Sequence, residues 1–399
     1  MARFARTAVV LGLLSAVGPF AIDMYLPALP AIGSDLAADP GAVQASVLAF
    51  FVAVGLCQVI YGPLADIYGR RRPLFVGLTL YVIGGIGCAL APNIETLIAM
   101  RFLQGVGACA GMTIPRAVVR DLHSGPDAAR LMSLIMLVFS VSPMLAPLTG
   151  SLVAEAIGWR AIFWTVSGVG LAVLALAAFA LPETRPPERQ MASNAKDILA
   201  GYGRVLRDSA FIGITMIGGF GIASFFIYLT GASFLFIDYF GLTPLQFSFI
   251  FASNAVAFIG FAQFNGWAGA RFGLARVVLV ATTVFATLTL LLFVITITVG
   301  AGLVLLWAML FASFGALGFV MPSTAVLALD RHGPVAGTAS ALLGTLQMLA
   351  GATMTALVVV FADGSPLPMV VGMAVCGVIT AGLAWSLLRS PPPQPVPAE

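Results

Sequence analysis

About twelve apolar runs, each long enough to cross roughly 30 Å of hydrocarbon, recur along the 399 residues of this chain. They lie near Thr7–Pro30, Val43–Ala65, Leu74–Ala91, Glu95–Val118, Leu131–Ala156, Ala161–Leu181, Phe211–Ile237, Pro244–Gly269, Val277–Val299, Leu303–Leu329, Val335–Phe361 and Leu367–Leu388. A soluble domain carries about 25% charged residues, whereas this chain has 9% and is 60% hydrophobic. With no water at membrane depth, backbone groups must bond within their own segment, so such runs fold as helices. The predicted class is an all-α membrane protein. Arg3 and Arg6 precede the first run as in a signal peptide. Its length, the missing A-x-A site and the spans that follow make it the first helix instead.

Charge placement orients the chain. If the N-terminus is cytoplasmic, 17 of the 19 Lys and Arg fall in inner segments; Arg160 is outside and Arg101 lies within a helix. By the positive-inside rule both termini are then cytoplasmic. The one long polar stretch, 182–210, divides the spans six and six. The expected organisation is an N-terminal bundle over 1–181, a cytoplasmic linker over 182–210, a C-terminal bundle over 211–389 and a tail over 390–399. Within the linker, Ala195–Arg207 reads either as an amphipathic helix on the inner surface or as a plain solvated connection.

The halves echo each other. Gly62, Tyr68, Gly69 and Arg72 after the second run match Gly266, Phe272, Gly273 and Arg276 after the eighth. Gly111–Pro115 similarly matches Gly318–Pro322. Such repetition is common in secondary transporters, where the substrate site lies between related bundles. The loop Gly62-Pro-Leu-Ala-Asp66-Ile-Tyr-Gly69-Arg70-Arg71-Arg72 resembles the signature loop of the major facilitator superfamily. Gly62 and Gly69 are expected to let helix ends approach, with Asp66, Arg70 and Arg72 forming a charged latch. In the second copy Ala270 stands where the Asp would be, so the charged latch should be one-sided.

Further segments resemble the Bcr/CflA drug-resistance branch of that superfamily. They are Asp23–Pro30, Tyr61–Asp66, Arg101-Phe-Leu-Gln-Gly105, Arg116-Ala-Val-Val-Arg120-Asp121, Gly158–Phe163 and Ala336–Leu342. The resemblance implies two pseudo-symmetric six-helix bundles in a bacterial inner membrane, exporting small antibiotics such as bicyclomycin or phenicols against protons. One departure stands in Ser142–Gly150, where Ala146 replaces a glycine of the broader drug-exporter motif.

Asp23 is a lone carboxylate inside the first apolar run, and an ionisable group at membrane depth marks a functional site. At 1.5 Å per residue it lies about 22 Å in from Ala8, roughly 8 Å from the outer edge of the core. Arg101 enters from the outer side near Asn93 and reaches about 12 Å, a similar depth. The expectation is that Asp23 faces a solvent-filled hollow and exchanges a proton against cargo, with Arg101 beside it biasing its charge. The competing reading is a passive structural ion pair. Gln104, Gly105, Gly107 and Gly111 form a small face of the fourth run that permits close helix approach.

Candidate cavity residues are Tyr25, Arg116, Phe225, Tyr228, Asn254 and Gln347. Ligand sites are mostly apolar with a few placed polar groups, but packing, interhelical bonding or, for Arg116, snorkelling to headgroups fits each of them too. Cargo is expected to be neutral or cationic and partly apolar. Cys57, Cys88, Cys109 and Cys376 sit in apolar runs without CxxC spacing, and His123 and His332 stand apart, so no metal or cofactor is implied. No catalytic set assembles: the single lysine, Lys196, lies outside any Gly-rich loop, and there is no G-x-S-x-G elbow. Pore filters are missing, and nothing points to nucleic acid. The predicted function is a proton-coupled, monomeric exporter of drug-like molecules. The alternative is a proton-coupled importer or symporter of a small metabolite on the same fold.

Overall fold

The computed structural model describes residues 2–123, 125–185, 195–300, 302–330, 332 and 336–389. Linker residues 186–194, Arg331 and the tail 390–399 lie outside them. Among the described residues every regular element is helical. Fifteen α-helices follow in order: α1 (Ala2–Asp23), α2 (Leu29–Asp35), α3 (Pro40–Ile67), α4 (Arg71–Ala89), α5 (Ile94–Leu122), α6 (Gly125–Ile157), α7 (Arg160–Ala180), α8 (Ala195–Leu206), α9 (Ser209–Ser233), α10 (Pro244–Gln263), α11 (Asn265–Phe272), α12 (Leu274–Thr298), α13 (Leu303–Leu329), α14 (Ala336–Val359) and α15 (Leu367–Leu388). Among the described residues twelve spans are long and apolar enough to cross a membrane. Six precede α8 and six follow it.

Two spans are each built from two α-helices. The first, Arg6–Asp35, breaks after Asp23 and continues through a 3-10 turn, Leu26–Ala28, into α2. Pro27 and Pro30 explain the break, because neither has an N–H to return to the preceding turn. The eighth span likewise joins α10 to α11. Span entries carry their own caps: Asp39 accepts from Ala42 N at 3.0 Å, Asn93 from Thr96 N at 2.9 Å, and Thr243 forms a capping box with Gln246.

Within the first six spans, α5 packs against α3, α4 and α1. The small face predicted on it is used: a Cβ on Gly107 would lie 2.2 Å from Tyr81 N and 2.4 Å from Gly77 O, so only glycine fits there. The repeat has a backbone counterpart as well. Gly69 and Gly273, which match between the halves, take φ of +84° and +81°, a left-handed geometry that favours glycine. Gly62 is different from its expectation. It meets nothing within 4 Å, and it borders a cavity rather than a helix contact.

The halves meet along two seams, α3 against α14 and α6 against α10. Beside the first, Phe51 of α3 stacks on Phe226 of α9 with ring centroids 3.9 Å apart. At the second, Ser248 Oγ donates to the Pro147 carbonyl at 3.0 Å. Toward the face that carries the linker the halves separate. There α8 packs on α14, and its Tyr202 hydroxyl reaches across to the Val59 carbonyl at 3.2 Å. The amphipathic-helix reading of this stretch therefore holds, ending at Leu206.

Candidate functional site

Between the halves, open on the linker face, lies a cavity of about 800 Å³. The N-terminal half lines it with α3 (Gln58, Gly62, Asp66) and α5 (Met112, Thr113, Arg116, Arg120, Asp121). The C-terminal half contributes Ile222 from α9, Ala325 and Leu329 from α13, and the stretch of α14 that includes Gln347 and Met348. A hollow of this size is large enough for a drug-sized molecule.

The latch closes one edge of the cavity. Arg70, 5% exposed, donates from Nε to Asp121 Oδ2 at 2.7 Å, from one terminal nitrogen to Asp121 Oδ1 at 3.2 Å, and from the other to Asp66 Oδ1 at 2.8 Å. The paired bonds to Asp121 fit the planar guanidinium fork. Arg185 joins Asp66 at 3.1 Å. Glu183 caps the start of α4, accepting from the backbone N–H of Arg70 at 2.9 Å and Arg71 at 3.1 Å, and from Thr184 and Arg185, each at 3.0 Å. Burial pushes the Glu183 carboxyl up, but these four donors outweigh it and hold the group below its ordinary value. The structure thus joins Asp66 to Arg70 and puts Gly69 at the left-handed turn before it, whereas Arg72 is exposed and outside this network. Asp121 and Glu183 were not singled out. Glu183 follows Pro182 just past the sixth run, a place where a carboxylate can only cap or dangle.

In the second half the latch is neutral. Asn265 donates to the Phe319 carbonyl at 3.1 Å and accepts from Ser323 Oγ at 2.7 Å. The charge is one-sided, as Ala270 implied, but a polar tie replaces it.

Asp23 and Arg101 do not pair, which corrects the central expectation drawn from their depths. Among the described residues neither has an oppositely charged group at ion-pair distance. Arg101, wholly buried, donates to the Ala21 carbonyl at 3.1 Å and to Gln104 Oε1 at 2.8 Å. Its guanidinium lies 4.7 Å from the ring centroid of Tyr25, 4.5 Å from Phe50 and 5.9 Å from Phe163, a cation–π box. Two of its nitrogens, Nε and one terminal nitrogen, find no hydrogen-bond partner. The physical reason for the mismatch is azimuth. Residues two apart on a helix point about 200° apart, so an arginine seated at Ala21 leaves Asp23 facing the other side.

Asp23 is 5% exposed and does not line the cavity, so the expected open hollow at that carboxylate is also not found in this conformation. Its surroundings are instead part of the closed side. The Leu26–Ala28 turn just beyond it packs against α9 and α10 of the other half.

Of the six cavity candidates, Arg116 and Gln347 line the hollow. Of the other four, Tyr25, Tyr228 and Asn254 are buried and Phe225 is half-buried against the core. The Tyr25 hydroxyl bonds Ser46 and its ring boxes Arg101. Tyr228 accepts from Asn254 Nδ2 at 2.9 Å and stacks on Phe251. Phe225 packs on Phe258 and Phe314. Aromatic rings buried this deeply fill space between helices. Gln58 and Arg120, not among those six, also border the cavity. Arg120 lies one turn beyond Arg116, and that i,i+4 spacing was the available signal.

The sequence matches the Major Facilitator Superfamily over residues 11–355. It is 38% identical over 361 residues to an uncharacterized MFS-type transporter, YdgK, of Bacillus subtilis, covering 88% of each chain. It is 29% identical over 386 residues to a bicyclomycin resistance protein homolog of Haemophilus influenzae, covering 95% of each. Among solved structures it resembles a D-xylose-proton symporter with a TM-score of 0.75 at 15% identity, over 96% of this chain and 97% of that one. At that identity the likeness shows the fold alone.

Proposed function

Because the chain belongs to the Major Facilitator Superfamily and is a transporter rather than an enzyme, we propose that it exports small drug-like molecules in exchange for protons, by alternating access. The observation that carries this reading is the asymmetry of the central seam. A cavity of about 800 Å³ is open on the linker face, while the opposite side is closed by Phe51 on Phe226 and by Ser248 on Pro147. The linker face is the cytoplasmic one, by its arginine excess, so the conformation is loaded from inside. The bundles are residues 1–181 and 211–389, joined by the linker 182–210, and one chain suffices because the cavity lies between them.

Asp23 is the proton site in this scheme. It sits at the break of the first span, beside the turn that packs on the other half. Parting the outer seam strips that cover and gives the carboxyl access to external water; closing the seam seals it again. A proton taken from outside leaves inward only when α1 shifts further, because in the inward-open conformation Asp23 is buried and does not line the cavity. Arg101 acts on this site through the backbone of α1, at Ala21, rather than as a direct ion-pair partner. The relation to a bicyclomycin resistance protein homolog supports export as the direction.

Expression in a drug-sensitive bacterial host tests the direction. Tolerance to bicyclomycin or a phenicol should rise, and a protonophore should abolish the accumulated difference. Unchanged tolerance together with faster drug entry would support an importer instead.

A further inference from the structure

The charges around the cavity do not balance, and the surplus lies on one helix face. Asp66 contributes from α3, Arg70 from the loop after it, Arg116, Arg120 and Asp121 from α5, and Arg185 from the segment after α7. The lining residues of α8, α9, α13 and α14 add no charge. Both acids are committed, Asp121 to Arg70 and Asp66 to Arg70 and Arg185. That leaves Arg116 and Arg120. Neither meets a carboxylate at ion-pair distance among the described residues. One turn apart, they place like charges side by side, an arrangement that costs stability unless an anion answers it. Arg116 lies over the Phe139 ring at 5.3 Å.

A second observation comes from the opposite wall. Gln347 on α14 is 7% exposed, borders the cavity, and leaves its Nε2 amide without a hydrogen-bond partner. A buried donor left unbonded is expensive unless something else bonds it. That nitrogen is sealed from the hollow, beside Gly218 and Thr324, so the unpaired donors the hollow itself offers are those of Arg116 and Arg120, with no free acceptor charge.

Resting on the carrier reading above, we propose that the cavity selects cargo with an anionic, acceptor-rich head group, held by Arg116 and Arg120. An apolar body would lie against Met112, Ile222 and Met348, which share the same hollow. The sequence had pointed to neutral or cationic cargo because it counted few charged groups in the cavity, Asp23, Arg101 and Arg116; of these only Arg116 lines it, and Arg120 stands beside it.

Equilibrium binding to the full-length protein in lipid nanodiscs tests this, with no gradient imposed. The probes are nalidixate, an aryl carboxylate, and its uncharged ethyl ester, at about pH 8 where the acid is ionised. The wild type should prefer nalidixate by about tenfold, the size of one charge-assisted hydrogen bond. Arg116→Gln should bring the ratio to within about twofold of unity with ester binding unchanged, and Arg116→Lys should keep most of the preference. A wild-type preference below about threefold, no binding of either probe, or a preference retained in Arg116→Gln would overturn the proposal. Because no gradient is present, failure of proton-driven export leaves this result standing, and failure here leaves proton coupling untouched.

Discussion

Gly150 on α6 faces the break in the first span at a distance no side chain tolerates. A Cβ there would lie 1.9 Å from the Met24 carbonyl oxygen and 2.7 Å from its carbon. Ordinary contact begins at 3.4 Å, so Gly150→Ala must drive the two helices apart by about 1.5 Å. The obstacle is backbone, which cannot rotate away as a side-chain tip would. Overpacking of this kind costs about 1–3 kcal/mol in a close-packed interior. For a chain of this size that corresponds to a fall of about 1–4 °C in apparent melting temperature. The displaced carbonyl belongs to the residue after Asp23, so proton-driven transport should fall more steeply than stability. Gly260→Ala is the matched control, since a Cβ there meets nothing within 4 Å and the residue lies inside α10. Melting of the purified protein, read by fluorescence-detected size exclusion, separates the two. If Gly150→Ala melted with the wild type and with Gly260→Ala, the packing argument for α1 against α6 would be refuted.

Two further outcomes follow from the latch. Arg70→Met should cost about 3–5 kcal/mol because it strands the Asp121 carboxylate, whereas Asp66→Asn should cost under about 1 kcal/mol, since Asp66 is partly exposed and Arg70 keeps Asp121; equal losses in melting temperature would contradict the geometry. Arg70→Lys should fail to restore the first loss, because an ammonium cannot make the paired bonds to Asp121. Glu183, held below its ordinary value of 4.5, contributes stability that is fully present above that pH and lost as pH falls through the depressed value. The melting difference between wild type and Glu183→Gln should therefore be constant near neutrality and shrink below about pH 4.5; a difference that grows on acidification would reverse the sign.

The spans were legible because length and hydropathy report directly on the cost of a bilayer, and Leu303–Leu329 and Leu367–Leu388 match residue for residue. The latch was legible in part, since Asp66, Gly69 and Arg70 lie close together in one loop. Asp121 and Glu183 reach it across 51 and 113 residues, a pairing that no local pattern announces. Asp23 and Arg101 show the limit most clearly. The rise per residue fixes depth, and their depths agree, but the direction a side chain takes is set by packing. In helices apolar on every side, the sequence carries no contrast from which to read that direction. The same blindness misplaced Tyr25, Phe225, Tyr228 and Asn254, which are as apolar-compatible in a core as beside a cavity.

Proton exchange at Asp23 is tested most directly in proteoliposomes loaded with acidic buffer and diluted into a neutral one, following a radiolabelled phenicol. The wild type should accumulate the compound against its gradient, while Asp23→Asn should still swap labelled for unlabelled compound across the membrane yet build up none. Accumulation by Asp23→Asn equal to the wild type would mean that the proton travels by another group.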